Sequence, residues 1–289
     1  MNIKRPKNLQ TSNQSLELRF CSPKNSFKSS PIWKGRWKRV FAVPFLGPAG
    51  SGKTSLAGSF GEFLAEKGYN VKIFNLDAGA EYLPYIPGFD IRDFFRVSEI
   101  MKRERIGPNA SIIRASEMIY EVSDQIIERM KKTKADYVLI DTPGQLEVFA
   151  FKPTGSLFME KLRDMRVCGV FLLGADTSPT TTGFVVALLM SMAIQIQLGI
   201  SLITVLHKSD ILKTKGFLEM LNNPELLREK ITSTEQSGVI TDLALDALKI
   251  IRNVQPAVRV IATSIINHEG YEELFDLLHE IFCSCGDNL

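Results

Sequence analysis

Eight consecutive residues, Gly47-Pro48-Ala49-Gly50-Ser51-Gly52-Lys53-Thr54, hold the densest chemistry in the chain. Glycines at this spacing let successive backbone N–H groups turn inward and form a concave nest for an anion. Lys53 adds a point charge for terminal phosphates, and the Thr54 hydroxyl suits a hard divalent cation. An apolar run, residues 39–46, precedes the loop, and a helical pattern, residues 55–67, follows it. The helix N-terminus at Ser55 therefore also faces the anion. This strand–loop–helix context separates a phosphate cradle from a Gly-rich turn that matches by chance. Gly47 through Ser55 are the expected phosphate contacts.

Three further clusters each follow an apolar run. Asp141-Thr142-Pro143-Gly144-Gln145 comes after residues 137–140. Asp141 is suited to hold Mg²⁺ with Thr54, the Gly144 N–H to sense a third phosphate, and Gln145 to orient an attacking water. Asn75-Leu76-Asp77 closes the run 71–76. Asp77 is a candidate for the same water or for the metal shell, and equally a turn-forming residue ahead of Gly79. His207-Lys208-Ser209-Asp210 follows residues 201–206. An aspartate at Asp210 accepts two hydrogen bonds from the guanine edge that adenine cannot donate, a strong basis for rejecting ATP. His207 stands where such loops usually carry Asn, and an imidazole cannot imitate both ends of an amide. Ala262-Thr263-Ser264 ends the last run, where backbone N–H groups are expected to meet a base carbonyl. The chemistry is that of GTP or GDP with Mg²⁺, with Lys53, Asp77 and Gln145 as catalytic candidates. A nucleotide or small-molecule kinase built on the same loop, and a non-hydrolytic assembly chaperone, are the alternatives.

The elements that must position these groups are legible as alternation. Apolar runs at 39–46, 71–76, 137–140, 167–173, 201–206 and 258–262 read as strands. Residues 55–67, 111–132, 181–198, 213–254 and 268–282 read as helical. Residues 78–110, punctuated by Pro84, Pro87, Gly88, Gly107 and Pro108, read as one long irregular segment. Strands alternating with helices predict an α/β three-layer fold of the P-loop NTPase kind, with a mainly parallel sheet flanked by helices. Every motif then lies at a strand's carboxyl end, where such sheets bind ligands. The stretch 213–254 reads as a helical insertion, a candidate lid or docking platform.

Composition limits the partners. Residues 1–39 hold ten Lys or Arg against Glu17 alone, which leaves 25 of the 35 basic and 31 of the 32 acidic residues for the domain at 40–289. The +3 total is thus a basic tail, expected to lack fixed structure, on a mildly acidic globule. The folded domain lacks the basic balance of a direct nucleic-acid binder. Cys21, Cys168, Cys283 and Cys285 are too few for a disulfide scaffold, and Cys283 with Cys285 makes half a zinc site. Reduced thiols and no apolar leader point to the cytoplasm. From Gly183 to Leu206 no residue is charged. Gln195, Gln197 and Gly199 interrupt that run, so it reads as a buried helix, Thr181–Leu198, and a strand rather than a membrane span.

Gly107-Pro108-Asn109, between the phosphate loop and Asp141, resembles the signature of the GPN-loop GTPases. Gly50-Ser51-Gly52-Lys53-Thr54, Asn75-Leu76-Asp77, Leu83-Pro84-Tyr85, Asp90-Ile91-Arg92, Asp141-Thr142-Pro143-Gly144-Gln145 and Phe282-Cys283-Ser284-Cys285 support the resemblance, which covers about residues 40–285. The resemblance implies a homodimer or paralogue heterodimer that hydrolyses GTP with Mg²⁺. It implies that Asn109 reaches the partner's γ-phosphate and that Asp77 and Gln145 position water. It also implies a protein client, since eukaryotic relatives assist RNA polymerase assembly. Residues 181–198 are the expected apolar contribution to the dimer.

Overall fold

The computed structural model describes residues 40–176, 180–212, 223–233, 238–254 and 259–284. The basic segment 1–39, residues 213–222 of the helical stretch, Cys285 and the Cys283 side chain lie outside that description.

Seven strands form one sheet: β1 (Phe41–Leu46), β2 (Val71–Asn75), β3 (Phe89–Asp90), β4 (Tyr137–Asp141), β5 (Arg166–Gly174), β6 (Ser201–His207) and β7 (Val260–Thr263). Their order is β3-β2-β4-β1-β5-β6-β7, and every pairing is parallel. Parallel strands need crossovers that cover both faces, which is why β1 and β4 are apolar runs without alternation. On one face α1 (Lys53–Glu66) and α10 (Tyr271–Ser284) pack Leu56, Phe60, Leu64, Leu274, Leu278 and Phe282 against Val43, Phe45, Leu139, Val170 and Val205. The other face carries α3 (Pro108–Glu121), α4 (Ser123–Lys132), α5 (Leu146–Ala150), α6 (Pro153–Lys161), α7 (Thr181–Leu198), α8 (Pro224–Ser233) and α9 (Gly238–Val254) over Leu46, Val138, Ile140, Phe171 and Leu206. Helices α8 and α9 belong to the crossover from β6 to β7, and Leu227, Ile231, Leu248 and Ile251 join that core.

The register aligns the motif-bearing strand ends. Asn75 and Phe45 both pair with Asp141, while Gly174 pairs with His207 and His207 with Thr263. Four motifs from distant segments thus emerge along one edge of the sheet.

Two readings of the sequence are corrected. Residues 78–110 are not wholly irregular: they contain β3, a 3₁₀ turn at Ile91–Asp93 and helix α2 (Val97–Glu104). Gly88, Gly107 and Pro108 sit at element boundaries, and Pro84 and Pro87 lie in the connection from β2 to β3. Arg105, in the left-handed region at φ 55°, ends α2, and Pro108 occupies the first turn of α3, where its missing N–H costs nothing. The segment 111–132 is two helices. Val122 separates α3 from α4, the Ser123 hydroxyl donates to the Tyr120 carbonyl at 2.6 Å, and Lys161 donates to Ser123 Oγ at 2.7 Å.

Helix α7 has the expected bounds, capped by Gly199 at φ 64°. It is not buried all round. Phe184, Val185, Leu188 and Ile194 face the core, but Val186 is 60% and Ile196 80% exposed. Among the described residues it is the one helix long and apolar enough to cross a membrane, and here its inner face packs on β6 and α9. Beside it, α9 exposes Val239, Ile240, Leu243 and Ile250.

Candidate nucleotide site

The loop between β1 and α1 turns through three glycines with positive φ: Gly47 at 151°, Gly50 at 77° and Gly52 at 93°. Side chains are strained in such conformations, and two of the three are also sterically closed. A Cβ on Gly47 would come 2.5 Å from the Leu172 carbonyl oxygen, and one on Gly52 2.5 Å from His207 Cδ2. Pro48, Ala49 and Gly50 form the loop's crest, where the Ser51 N–H closes a turn onto the Pro48 carbonyl at 3.2 Å. Lys53, only 5% exposed, donates from Nζ to Gly47 O at 2.7 Å, Pro48 O at 2.9 Å and Gly144 O at 3.4 Å. Burial pulls its pKa down, opposed by the charges of Asp141, Asp77 and Glu147. The ammonium is thus held on the axis of the loop and tied to the Asp141–Gln145 turn. The Ser51 hydroxyl is buried with no hydrogen-bond partner, an unmet donor inside a nest built for acceptor oxygens. Thr54 and Ser55 open α1 at the loop's end.

Two carboxylates line the same place. Asp141, fully buried at the end of β4, accepts the Tyr85 hydroxyl on Oδ2 at 2.7 Å and leaves Oδ1 with no hydrogen-bond partner. Burial pushes its pKa up to about 6. The bonded Tyr85 hydroxyl, the nearby Thr54 hydroxyl and Lys53 favour the charged form, and Asp77 opposes it. Asp77 receives the Gly79 N–H on Oδ1 at 2.8 Å and the Gly144 N–H on Oδ2 at 3.1 Å. Its pKa is also raised by burial, against those two N–H donors and Lys53. A buried, orphaned carboxylate oxygen costs free energy unless something cationic or protic meets it. Two carboxylates and a threonine hydroxyl around one ammonium form a hard oxygen donor set with surplus negative charge. That set fits Mg²⁺, which favours a few protein oxygens and retains water. Thr54 and Asp141 would hold it, with Asp77 beside them. Bound there, the ion would neutralise charge on phosphate oxygens.

The segment from Asp77 to Arg92 is pinned from beneath. Asn75, fully buried, donates to Asp90 Oδ1 at 2.8 Å and accepts the Asp77 N–H at 3.0 Å. Arg92 grips Asp90 through Nε and Nη2, the latter at 2.7 Å, and donates to the Ala80 carbonyl at 3.0 Å. These hydrogen bonds hold Asp90 below the usual carboxylate range against the effect of burial. Tyr85, Asp90 and Arg92 have no role that spacing alone reveals. The signal for them was the family resemblance of Leu83-Pro84-Tyr85 and Asp90-Ile91-Arg92.

The base-side cluster is also joined to the phosphate loop. His207, buried at the end of β6, shares a 2.9 Å hydrogen bond between Nδ1 and Thr263 Oγ1 and lies over Gly52. Burial lowers its pKa to about 4, with Lys208 acting in the same sense and Asp210 and Asp176 against it. The ring is therefore neutral, and it is a wall of the phosphate loop rather than a free loop side chain. Lys208, at φ 61°, donates to the Gly50 carbonyl at 2.9 Å and pairs with Asp176. The Ser264 hydroxyl donates to Asp210 Oδ1 at 2.6 Å. Ser264's own N–H bonds the Glu269 carbonyl at 3.2 Å. That N–H, expected at a base carbonyl, is committed elsewhere, and what Ser264 offers is its hydroxyl on Asp210.

Gln145 and the Gly107-Pro108-Asn109 motif stand outside this network. Gln145 is the half-buried N-cap of α5 and makes no side-chain cap hydrogen bond. Gly107, Pro108 and Asn109 are exposed, with Gly107 as N-cap of α3. The Gly107 carbonyl is braced by the Ser111 N–H at 3.0 Å and the Ser111 hydroxyl at 2.9 Å. The motif read as a loop is thus a helix start, and no hydrogen bond joins Asn109 to the phosphate loop.

A parallel sheet with a glycine nest after its central strand, a buried lysine within it and a carboxylate at the adjacent strand end defines a P-loop nucleoside triphosphatase. The family model described as a conserved hypothetical ATP binding protein matches residues 45–284. A GPN-loop GTPase of Pyrococcus abyssi, PAB0955, is 34% identical over 251 residues, covering 85% of this chain and 98% of its own. GPN-loop GTPase 3 of Dictyostelium discoideum is 30% identical, covering 70% of this chain and 69% of its own. The crystal structure of apo PAB0955 superposes with a TM-score of 0.75 at 33% identity, covering 85% of this chain and 98% of that one. The chain belongs to the GPN-loop GTPase family.

Proposed function

We propose that this protein binds GTP with Mg²⁺ and hydrolyses it, working as a nucleotide-dependent switch or assembly factor in the cytoplasm. The observation that carries the reading is the orphaned Oδ1 of buried Asp141, set beside Thr54 at the foot of the phosphate loop. That arrangement suits a metal-bound triphosphate. Lys53 supplies charge to the β- and γ-phosphates. Asp210, oriented by Ser264, supplies the acceptors that favour GTP over ATP. Lys208 and the neutral His207 keep the base loop in fixed relation to the phosphate loop. Asp77 and Gln145 are assigned to the attacking water.

The reading includes a homodimer. Asn109 is exposed on a braced helix start, with no side-chain hydrogen bond among the described residues, a suitable group to supply to a partner's nucleotide in trans. The uncharged helix α7 exposes Val186, Leu189 and Ile196, and α9, packed against it, exposes Val239, Leu243 and Ile250. Apolar surface of this kind is typical of obligate interfaces. A protein client, such as a polymerase subunit during assembly, is the corresponding partner. Phosphate release from GTP, measured with Mg²⁺ or EDTA and with no added acceptor, tests the activity. Turnover that requires Mg²⁺ and is lost in Lys53→Ala is expected. Turnover only when a phosphate acceptor is added would instead make the protein a kinase. Mass-resolved sizing with GDP and with a non-hydrolysable GTP analogue tests assembly, and a monomer in both would refute the trans role of Asn109.

A further inference from the structure

The two oxygens of Asp141 are in different states. Oδ2 accepts the Tyr85 hydroxyl at 2.7 Å, whereas Oδ1 is buried without a hydrogen-bond partner. Tyr85 comes 56 residues earlier in the chain, on the segment joining β2 to β3. That segment is shaped to deliver it. Tyr85 and Pro84 lie against α1 at Gly58, where a Cβ would come 3.2 Å from Tyr85 Cδ1 and 3.5 Å from Pro84 Cγ. Farther along, the segment is fastened by Arg92, which bonds both Asp90 and the Ala80 carbonyl. The ring is thus seated on one side by a glycine of α1 and held in place by a closed loop.

We propose that Tyr85 is a positioning residue for Asp141: by occupying Oδ2 it fixes the plane of the carboxylate and presents Oδ1 alone to the divalent cation. The proposal rests on the reading that Asp141 and Thr54 hold Mg²⁺. A carboxylate with two unbonded oxygens can rotate or swing between one-oxygen and two-oxygen ligation. A donor on one oxygen removes that freedom before the ion arrives. Outer partners of metal ligands commonly contribute on the order of 10–100-fold to metal affinity. Asp77, at the start of the same segment, is the second carboxylate and accepts the Gly144 N–H, so the strap carries one acid of the site and holds the other through Tyr85.

The test follows release of a fluorescently labelled GDP from the full chain as Mg²⁺ is titrated, for wild type, Tyr85→Phe and Gly58→Ala. Tyr85→Phe keeps the ring and removes only the hydroxyl. The expected result is a half-effective Mg²⁺ concentration about ten-fold higher in Tyr85→Phe, with release in EDTA matching wild type. Gly58→Ala, which pushes on the ring edge, shifts the midpoint in the same direction by less. It carries the test if Tyr85→Phe does not fold. Superimposed Mg²⁺ titrations would overturn the assignment to Tyr85 alone. So would faster release by the same factor in EDTA and in Mg²⁺, which would mark Tyr85 as general packing. A wild-type protein whose GDP release ignores Mg²⁺ would overturn the metal reading and this proposal together.

Discussion

Acidification probes the burial of His207 directly. The ring is 3% exposed, accepts or donates one hydrogen bond at Thr263 and lies against Gly52, with Lys208 adding a like charge. Its pKa in the folded chain is about 4, against roughly 6.5 when unfolded. The folded state thus refuses a proton that the unfolded state accepts, and stability is lost as pH falls below the unfolded value and toward the folded one. Between about pH 7.5 and about pH 5 the linkage relation gives a loss of about 2 kcal/mol from this residue. Asp141 works in the opposite sense. Its pKa is raised to about 6, so it binds a proton on folding in acid and returns about 1 kcal/mol over the same interval. These two contributions partly offset each other, and the informative quantity is a difference. His207→Asn removes the titrating ring while leaving an amide for Thr263. Urea unfolding of the nucleotide-free protein at both pH values should show the gap between variant and wild type changing by about 2 kcal/mol in the variant's favour on acidification. A gap that is the same at both pH values would refute a buried, neutral His207.

Other perturbations separate the parts of the site. Ser264→Ala removes the donor that fixes Asp210 and should weaken GTP by about ten-fold while leaving ATP unchanged; equal losses in competition binding would place base selection elsewhere. Asp77→Ala frees the Gly144 N–H and should raise the ratio of GTP to GDP affinity by about ten-fold while slowing hydrolysis, read by calorimetry and single-turnover phosphate release. Asn109→Ala should lower kcat with little effect on GTP affinity, and equal loss in both would contradict a role confined to the transition state. Val186→Glu should shift the proposed dimer toward monomer in light scattering while helix and strand content in circular dichroism is retained. Met190, a half-buried side chain packed on the core, is a poorer probe of that surface.

The layers of this fold were readable because burial on both faces leaves strands as plain apolar runs, as in Val138-Leu139-Ile140 and Val170-Phe171-Leu172. Helix α7 was readable to the residue because Gly199 stops it with a conformation few other side chains accept. Helix α2 was not. It is eight residues long with Ile100 as its one buried side chain, so it offers no apolar period, and the Pro and Gly around it drew the eye to loops. The break at Val122 was hidden because α3 and α4 continue one amphipathic pattern, and only Ser123, tied to Tyr120 and Lys161, marks the bend. In the site, residues dictated by local geometry were legible: the glycines, Lys53, Thr54 and Asp141. Partners chosen by long-range register were not. Nothing near Asp141 in sequence announces Tyr85, and nothing near Lys208 announces Asp176.

His207 is compatible with the base-recognition role proposed for its loop. An amide at this position would span from one strand end toward the base with two polar ends. The imidazole instead bonds Thr263 through Nδ1 and places carbon and nitrogen against Gly52. Lys208 makes a second strut, from the same loop to the Gly50 carbonyl. Both struts meet the phosphate loop at glycines whose φ is positive and which lack a side chain to stand in the way. The base loop is therefore built onto the phosphate loop, and displacement of one displaces the other. On the proposed reading guanine selection rests with Asp210, whose carboxylate is held by Ser264 just past β7, while the residue at 207 sets the shape of the cradle.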